Sequence, residues 1–329
     1  MEKYKRLLKQ YITTKDESAL YKADRFSKDS LQNNISPDEI VQIHIESLTS
    51  LYPNLPEHVM LSFNFLLETM IAYGVAHKEF QALREKQMEL KSEIEVAANL
   101  QKSLMDTKVP EVEGIEVGAI SVPSRQMNGD YYQFLKDRNG NLSVTIADII
   151  GKGMPAALSM SMIKYALNSL HDQRSQPSEI LDVLNRIVEQ NVSSEMFITM
   201  FYGFYDTNHN KFHYSSAGHE PGFLYSQETN QFTEINAKGI ALGIKSPAKY
   251  ESNSVKLEKG DMAILLTDGV TECRCGDQFI DRKEVLNKIQ EFKHLPAQEI
   301  VQKVYKHFEQ IQDFDLKDDF TLILVRRKH

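Results

Sequence analysis

Cysteine is nearly absent: Cys273 and Cys275, one residue apart, are the two thiols of a 329-residue chain. A lone Cys-x-Cys is too short for a disulfide framework and lacks the further thiols of a structural zinc site. The pair therefore reads as incidental thiols of a reducing cytosol. Long basic runs are also missing, and the formal net charge is −8. That balance excludes nucleic acid and anionic membrane surfaces as main partners. No uninterrupted apolar run approaches the roughly 18 residues that span a bilayer. The charged start Met1-Glu2-Lys3-Tyr4-Lys5-Arg6 leads into an amphipathic segment rather than an apolar signal core. A cytoplasmic protein without a membrane anchor is expected. Internal repeats and low-complexity tracts are missing too. Lys152 lies between Gly151 and Gly153, but Met154 follows, so the spacing of a nucleotide-binding P-loop is not met.

What is present is an ordinary globular mixture, 41% hydrophobic and 26% charged, in a length that suits about two domains. The character of the chain changes near residue 110. Before it, apolar residues recur at three-to-four spacing through 2–12, 16–33, 37–51 and 57–80, as in Leu61, Phe65, Leu67, Ile71 and Val75. Ser36-Pro37-Asp38-Glu39 has the form of an N-cap followed by proline, and Pro53 and Pro56 bracket a loop. Short connections predict a bundle of about four antiparallel helices. Within 80–107, Leu83, Leu90, Ala97 and Leu104 recur every seven residues beside Phe80 and Ile94, while Gln87 and Gln101 weaken the seam. Such a helix suits pairing with a second copy of itself, or packing on its own domain. The expected division is a helical domain over 1–80, a linker helix over 81–110 and a third part over 111–329.

After Pro110 the period shifts to two. Strands are expected near 115–122, 129–136, 142–148, 197–205, 211–216, 222–226, 255–258, 261–267 and 319–326. Helices are expected over 155–171, 178–191, 282–290 and 297–312. Runs of strands interrupted by a helix pair and closed by helix and strand predict an α+β domain with antiparallel sheets. Met154, Met160 and Met162 read as helix packing.

Acidic residues stand at the strand ends. Asp130 follows the turn Asn128-Gly129 and opens a strand, Asp148 ends one, and Asp268 ends another before Gly269. Asp318 and Asp319 stand just ahead of the last. A single Asp-Gly after a strand is more often a plain turn. Several carboxylates at the tips of apolar strands form a different pattern, because an isolated charge there is costly to desolvate and a hard divalent cation offsets that cost. An oxygen-only set suits Mg²⁺ or Mn²⁺ rather than zinc.

Five segments occur in the order of the metal-dependent PPM (type-2C-like) phosphatases, in their bacterial SpoIIE-like branch. They are Asn128-Gly129-Asp130-Tyr131-Tyr132, Ala147-Asp148-Ile149-Ile150-Gly151-Lys152-Gly153, Ala217-Gly218-His219-Glu220-Pro221, Thr267-Asp268-Gly269-Val270-Thr271-Glu272 and Asp318-Asp319-Phe320-Thr321. The resemblance covers about residues 110–326. The helical part and linking helix also resemble the environmental-stress phosphatases that activate the general stress sigma factor of Gram-positive bacteria. This resemblance implies a PPM-type β-sandwich with flanking helices and a protein-serine phosphatase using two Mn²⁺ or Mg²⁺ ions. It implies Asp130, Asp148, Asp268 and Asp318 as metal ligands, with the carbonyl of Ile149. Asp319 is expected behind them, and either of the adjacent pair can be the direct ligand. Arg125, five residues before Asp130, is the candidate phosphate clamp, since its fork can take two phosphate oxygens. His219 is expected to hold a turn, and no general acid is evident. The implied partners are an RsbT-like activator, a serine-phosphorylated RsbV-like anti-anti-sigma substrate and a second copy of the chain bound through the helical domain. Two other readings stand beside this one: a non-catalytic scaffold, and a two-metal nucleotide phosphohydrolase, for which no base-binding signal is seen.

Overall fold

The computed structural model describes residues 2–33, 35–105, 107–150, 154–170, 176–192, 196–275, 278–279, 282–312 and 316–328. Gly151, Lys152 and Gly153 and the side chain of Cys275 lie outside the described residues. The chain forms two compact units, Met1–Ser92 and Glu93–His329.

The first unit is helical: α1 (Glu2–Thr14), α2 (Glu17–Gln32), α3 (Pro37–Leu51) and the start of α4 (Glu57–Met105). Helix α3 begins as its sequence dictates, with Ser36 extended at the N-cap, Pro37 in the first turn and Asp38 and Glu39 at the positive end of the helix dipole. Helix α1 packs on α2 and α3. Tyr4 is the pivot, its ring centroid 5.2 Å from that of Phe26 and its hydroxyl 3.0 Å from His44 Nδ1. The sequence expectation of a helix ending near 80 with a separate linker differs from what forms. Helix α4 runs unbroken for 49 residues, because no proline or cap interrupts it after Gly74. The division between the two units, Ser92 to Glu93, falls within this helix. By length and composition an 18-residue window of α4, of mean hydropathy 1.5, is apolar enough to cross a bilayer. Ser62, Asn64 and Glu68 punctuate its apolar residues, which is why no uninterrupted run marks it.

The second unit contains two five-stranded antiparallel sheets. One has the order β1 (Ile115–Val122), β12 (Phe320–Arg327), β9 (Met262–Leu266), β6 (Gly222–Ser226), β7 (Gln231–Ile235). The other has the order β2 (Asp130–Lys136), β3 (Leu142–Ile149), β4 (Ile198–Asp206), β5 (Lys211–Ala217), β8 (Asn253–Lys256). A short hairpin, β10 (Arg274–Cys275) with β11 (Gln278–Phe279), stands apart. The sheets bury one face against each other through Val144, Ile146, Phe201, Ile323 and Val325. The outer face of the β2–β3–β4 sheet packs beneath α5 (Met154–Leu170) and α6 (Pro177–Asn191) through Met160, Ile163 and Leu184. The other sheet packs beneath α8 (Arg282–Phe292) and α9 (Ala297–Ile311) through Val301 and Phe308. Strand β12 shows the logic: Leu322 and Leu324 face the helices while Ile323 and Val325 face the partner sheet. A strand buried on both sides needs a continuous apolar run, and Phe320–Val325 supplies one broken only by Thr321.

Candidate metal centre

Antiparallel pairing gathers the strand-end carboxylates. In one sheet β2 and β3 pair so that Asp130 stands opposite Asp148. In the other, β12 pairs with β9, Leu322 opposite Leu266, which leaves Asp318 and Asp319 beside Thr267 and Asp268. Strand β9 ends at Leu266, and Asp268 opens a single helical turn, α7 (Asp268–Thr271), rather than ending the strand as the sequence suggests. The Glu272 amide bonds the Asp268 carbonyl at 2.6 Å and closes that turn.

A cavity of about 770 Å³ is lined by Asp148, Ile149, Asp268, Asp318, Asp319 and Arg125, among others. Burial, and then the charges of Asp268, Asp318 and Asp319, push the Asp148 carboxyl up to about 7. Burial, and then Asp318, Glu272 and Glu220, push Asp268 up to about 6. The carboxylates therefore repel one another across a shared space. Asp318 is exposed at the rim. Asp319 is 8% exposed and has both oxygens engaged, accepting from the Ser124 amide at 2.7 Å and the Gly129 amide at 2.5 Å. It thereby fixes the loop that presents Arg125.

Asp130, implied as a metal ligand by the resemblance, is not among the residues lining this cavity. It is 1% exposed and set behind the lining, where Thr267 Oγ1 donates to its Oδ2 at 2.7 Å. Burial, with Asp148 and Asp319 adding, raises its carboxyl well above the ordinary range. Thr267 also accepts from the Thr321 amide at 3.1 Å, so one hydroxyl pegs the two sheets together beneath the cavity. His219 is buried, with burial pushing its imidazole down to about 4. Its Nδ1 lies 2.9 Å from Thr199 Oγ1, and its amide bonds Ser216 Oγ at 3.2 Å. Held neutral inside the strand junction, it serves the turn. Thr267, Thr199 and Ser124 were not found by sequence reasoning. The one available signal was that Thr267 stands between an apolar run and Asp268.

Among the described residues no group of three or more His, Cys, Asp or Glu side chains closes around one ion. The donor chemistry nevertheless fits a hard dication. A point beside the Gly129 Cα, where a Cβ would stand, lies 3.1 Å from Asp319 Oδ2, 3.6 Å from Asp148 Oδ1 and 3.8 Å from the Ile149 carbonyl. Three oxygens thus face one space that only glycine leaves open, and mutually repelling carboxylates favour a divalent cation among them.

The family model described as stage II sporulation protein E (SpoIIE) matches residues 138–328. The model of the phosphoserine phosphatase RsbU N-terminal domain matches residues 2–76. Phosphoserine phosphatase RsbU of Bacillus subtilis (strain 168) is 51% identical over 327 residues, covering 99% of this chain and 97% of that protein. Among solved structures, the RsbU and RsbW domains of Rv1364c from Mycobacterium tuberculosis align with a TM-score of 0.59 at 23% identity, over 67% of this chain and 61% of that one. The SiaA-PP2C domain of Pseudomonas aeruginosa aligns with a TM-score of 0.62 at 16% identity, over 73% of this chain and 98% of that one.

Proposed function

The chain belongs to the RsbU family of PP2C-type phosphoserine phosphatases, and on that premise we propose that it removes phosphate from an RsbV-like anti-anti-sigma factor when an RsbT-like partner switches it on. The dephosphorylated product then frees the general stress sigma factor, in the cytoplasm. The observation that carries this reading is the convergence of Asp148, Asp268, Asp318 and Asp319 on one cavity beside Arg125. PP2C-type phosphatases are metal-dependent. Here Asp148, the Ile149 carbonyl, Asp268 and Asp318 are the residues to hold two Mn²⁺ or Mg²⁺ ions, with Asp130 completing the set from behind. Such ions, when bound, acidify water and neutralise charge on the phosphoryl group. The chain's own part is to supply ionised carboxylates, to keep the Arg125 loop in place through Asp319, and to offer the Arg125 fork to phosphate oxygens. The RsbU-type N-terminal helices, which match over residues 2–76, are the proposed seat of the activator and of a homodimer contact. Exposed Leu61, Phe65, Leu83 and Leu90 along α4 support that contact.

Substrate preference tests the reading. With Mn²⁺ present, phosphate release is measured from a phosphoserine anti-anti-sigma protein, a nucleotide and a small aryl phosphate, with and without activator. The phosphoserine protein should be preferred, and the activator should raise the rate. Preference for the nucleotide would replace this reading with a phosphohydrolase, and folded protein inert toward all three would make it a scaffold.

A further inference from the structure

Gln101 breaks the seven-residue apolar pattern of α4, and it is 5% exposed. Burying a primary amide is costly unless its polar atoms find partners, so an apolar residue would be the simpler choice at this place on the helix. The partners it finds are specific. Its Nε2 donates to the Asn128 carbonyl at 2.8 Å, and its Oε1 accepts from the Asn128 amide at 3.0 Å. The same Nε2 lies 3.1 Å from Met160 Sδ on α5. The ladder of β2 begins at Asp130, so this side chain does for Asn128 what a neighbouring strand would otherwise do.

Asn128 is joined directly to the metal centre. Its Oδ1 accepts from the Asp130 amide at 2.9 Å. The next residue, Gly129, donates to Asp319 Oδ2 at 2.5 Å and accepts from the Ile149 amide at 3.1 Å. Any shift of Asn128 therefore alters the settings of Asp130, Asp319 and the backbone beside Asp148 together. Resting on the metal-dependent reading above, we infer that Gln101 is a positioning residue for the metal centre. Its amide clamps both backbone groups of Asn128 and so sets the loop on which the carboxylates depend. The last turns of α4 are thus part of the working structure of the second unit, and the weak point in the heptad pattern marks where that helix is used for chemistry rather than for packing.

The test uses the full chain with Gln101→Leu, which keeps the volume and extends the apolar pattern, and with Gln101→Glu, which keeps the length but loses the donor. Two properties are read: Mn²⁺ affinity by calorimetry, and hydrogen exchange of the backbone amides over 124–130. Both variants should bind Mn²⁺ about tenfold more weakly, as loss of a buried hydrogen-bond pair predicts, and both should exchange faster in that loop. Thermal unfolding of Gln101→Leu should remain a single cooperative transition, lowered only modestly by the two unpaired Asn128 backbone groups. A Met160→Leu control, which disturbs the packing beside the clamp and leaves it intact, should keep both properties unchanged. Wild-type Mn²⁺ affinity in the Gln101 variants overturns the inference, whether or not the loop loosens. Wild-type protein that binds Mn²⁺ yet cleaves no phosphoester sinks the phosphatase reading while the Gln101 result still stands. Wild-type protein that binds no Mn²⁺ overturns both.

Discussion

Asp318 and Asp319 are adjacent in sequence and opposite in circumstance. Asp318 is exposed at the cavity rim, whereas Asp319 is buried with both oxygens held by the Ser124 and Gly129 amides. Asp319→Ala should cost about 1–3 kcal/mol in denaturant unfolding, since two backbone donors lose their acceptor. Asp318→Asn should leave stability within about 0.5 kcal/mol but raise the Mn²⁺ concentration needed for half-maximal activity at least tenfold. A reversal of these two phenotypes would exchange their roles. The raised carboxyls carry a sign that is checkable too. In the metal-free chain, Asp148 at about 7 and Asp268 at about 6 bind protons that the unfolded chain has released. Their contribution to stability is fully present below the ordinary carboxylate range and is lost as pH rises through about 6 to 7. Divalent ions must displace those protons. The rise in melting temperature on adding Mn²⁺ should therefore be larger at pH 8 than at pH 5.5, and a shift independent of pH would contradict the coupling. At this scale the sequence was informative about where the aspartates stand, because each follows or precedes an apolar strand. It was silent about which line the cavity. The burial of Asp130 behind Thr267 depends on two sheets meeting, and no local pattern encodes that.

The elements were legible wherever a strand or helix buries a face, since burial is what imposes the period. Strand β7 escaped notice because Gln231, Thr233 and Glu234 lie exposed or nearly so at a sheet edge, leaving no alternation to read. The turn α7 is four residues long, too short for any helical period. Close approach between elements is equally hidden. A Cβ added at Gly118 on β1 would lie 2.2 Å from the Ala297 carbonyl at the start of α9. That helix is tied to the same strand, for the Ala297 amide donates to Glu116 Oε1 at 3.0 Å and Glu116 also pairs with Arg326. Gly118→Ala must push backbone against backbone and should destabilise the second unit by about 1–3 kcal/mol in chemical unfolding. An unchanged midpoint would show that α9 shifts freely over the sheet.

The whole molecule is two compact units sharing one 49-residue helix. Composition and period foretold a helical part and an α+β part, but the place where one gives way to the other was not readable. The helical pattern of 57–80 passes into that of 80–107 without a breaker, so the chain has no reason to stop. The exposed apolar residues of α4 suit a second copy of this chain. On the homodimer contact proposed above, Leu83→Lys with Leu90→Lys should lower the fraction of dimer in sedimentation velocity, whereas an unaltered dimer would place the contact elsewhere and a monomeric wild type would contradict the contact itself. The second unit is proposed to work as a metal-dependent serine phosphatase through the aspartates that flank its strands. This role is tested most directly by Mn²⁺-dependent phosphate release from a phosphoserine anti-anti-sigma protein in the presence of activator, comparing wild type with Asp268→Asn. Release by wild type, reduced by at least about a hundredfold in a variant that remains folded, is the predicted result. Equal release by both, or none by wild type, would contradict it.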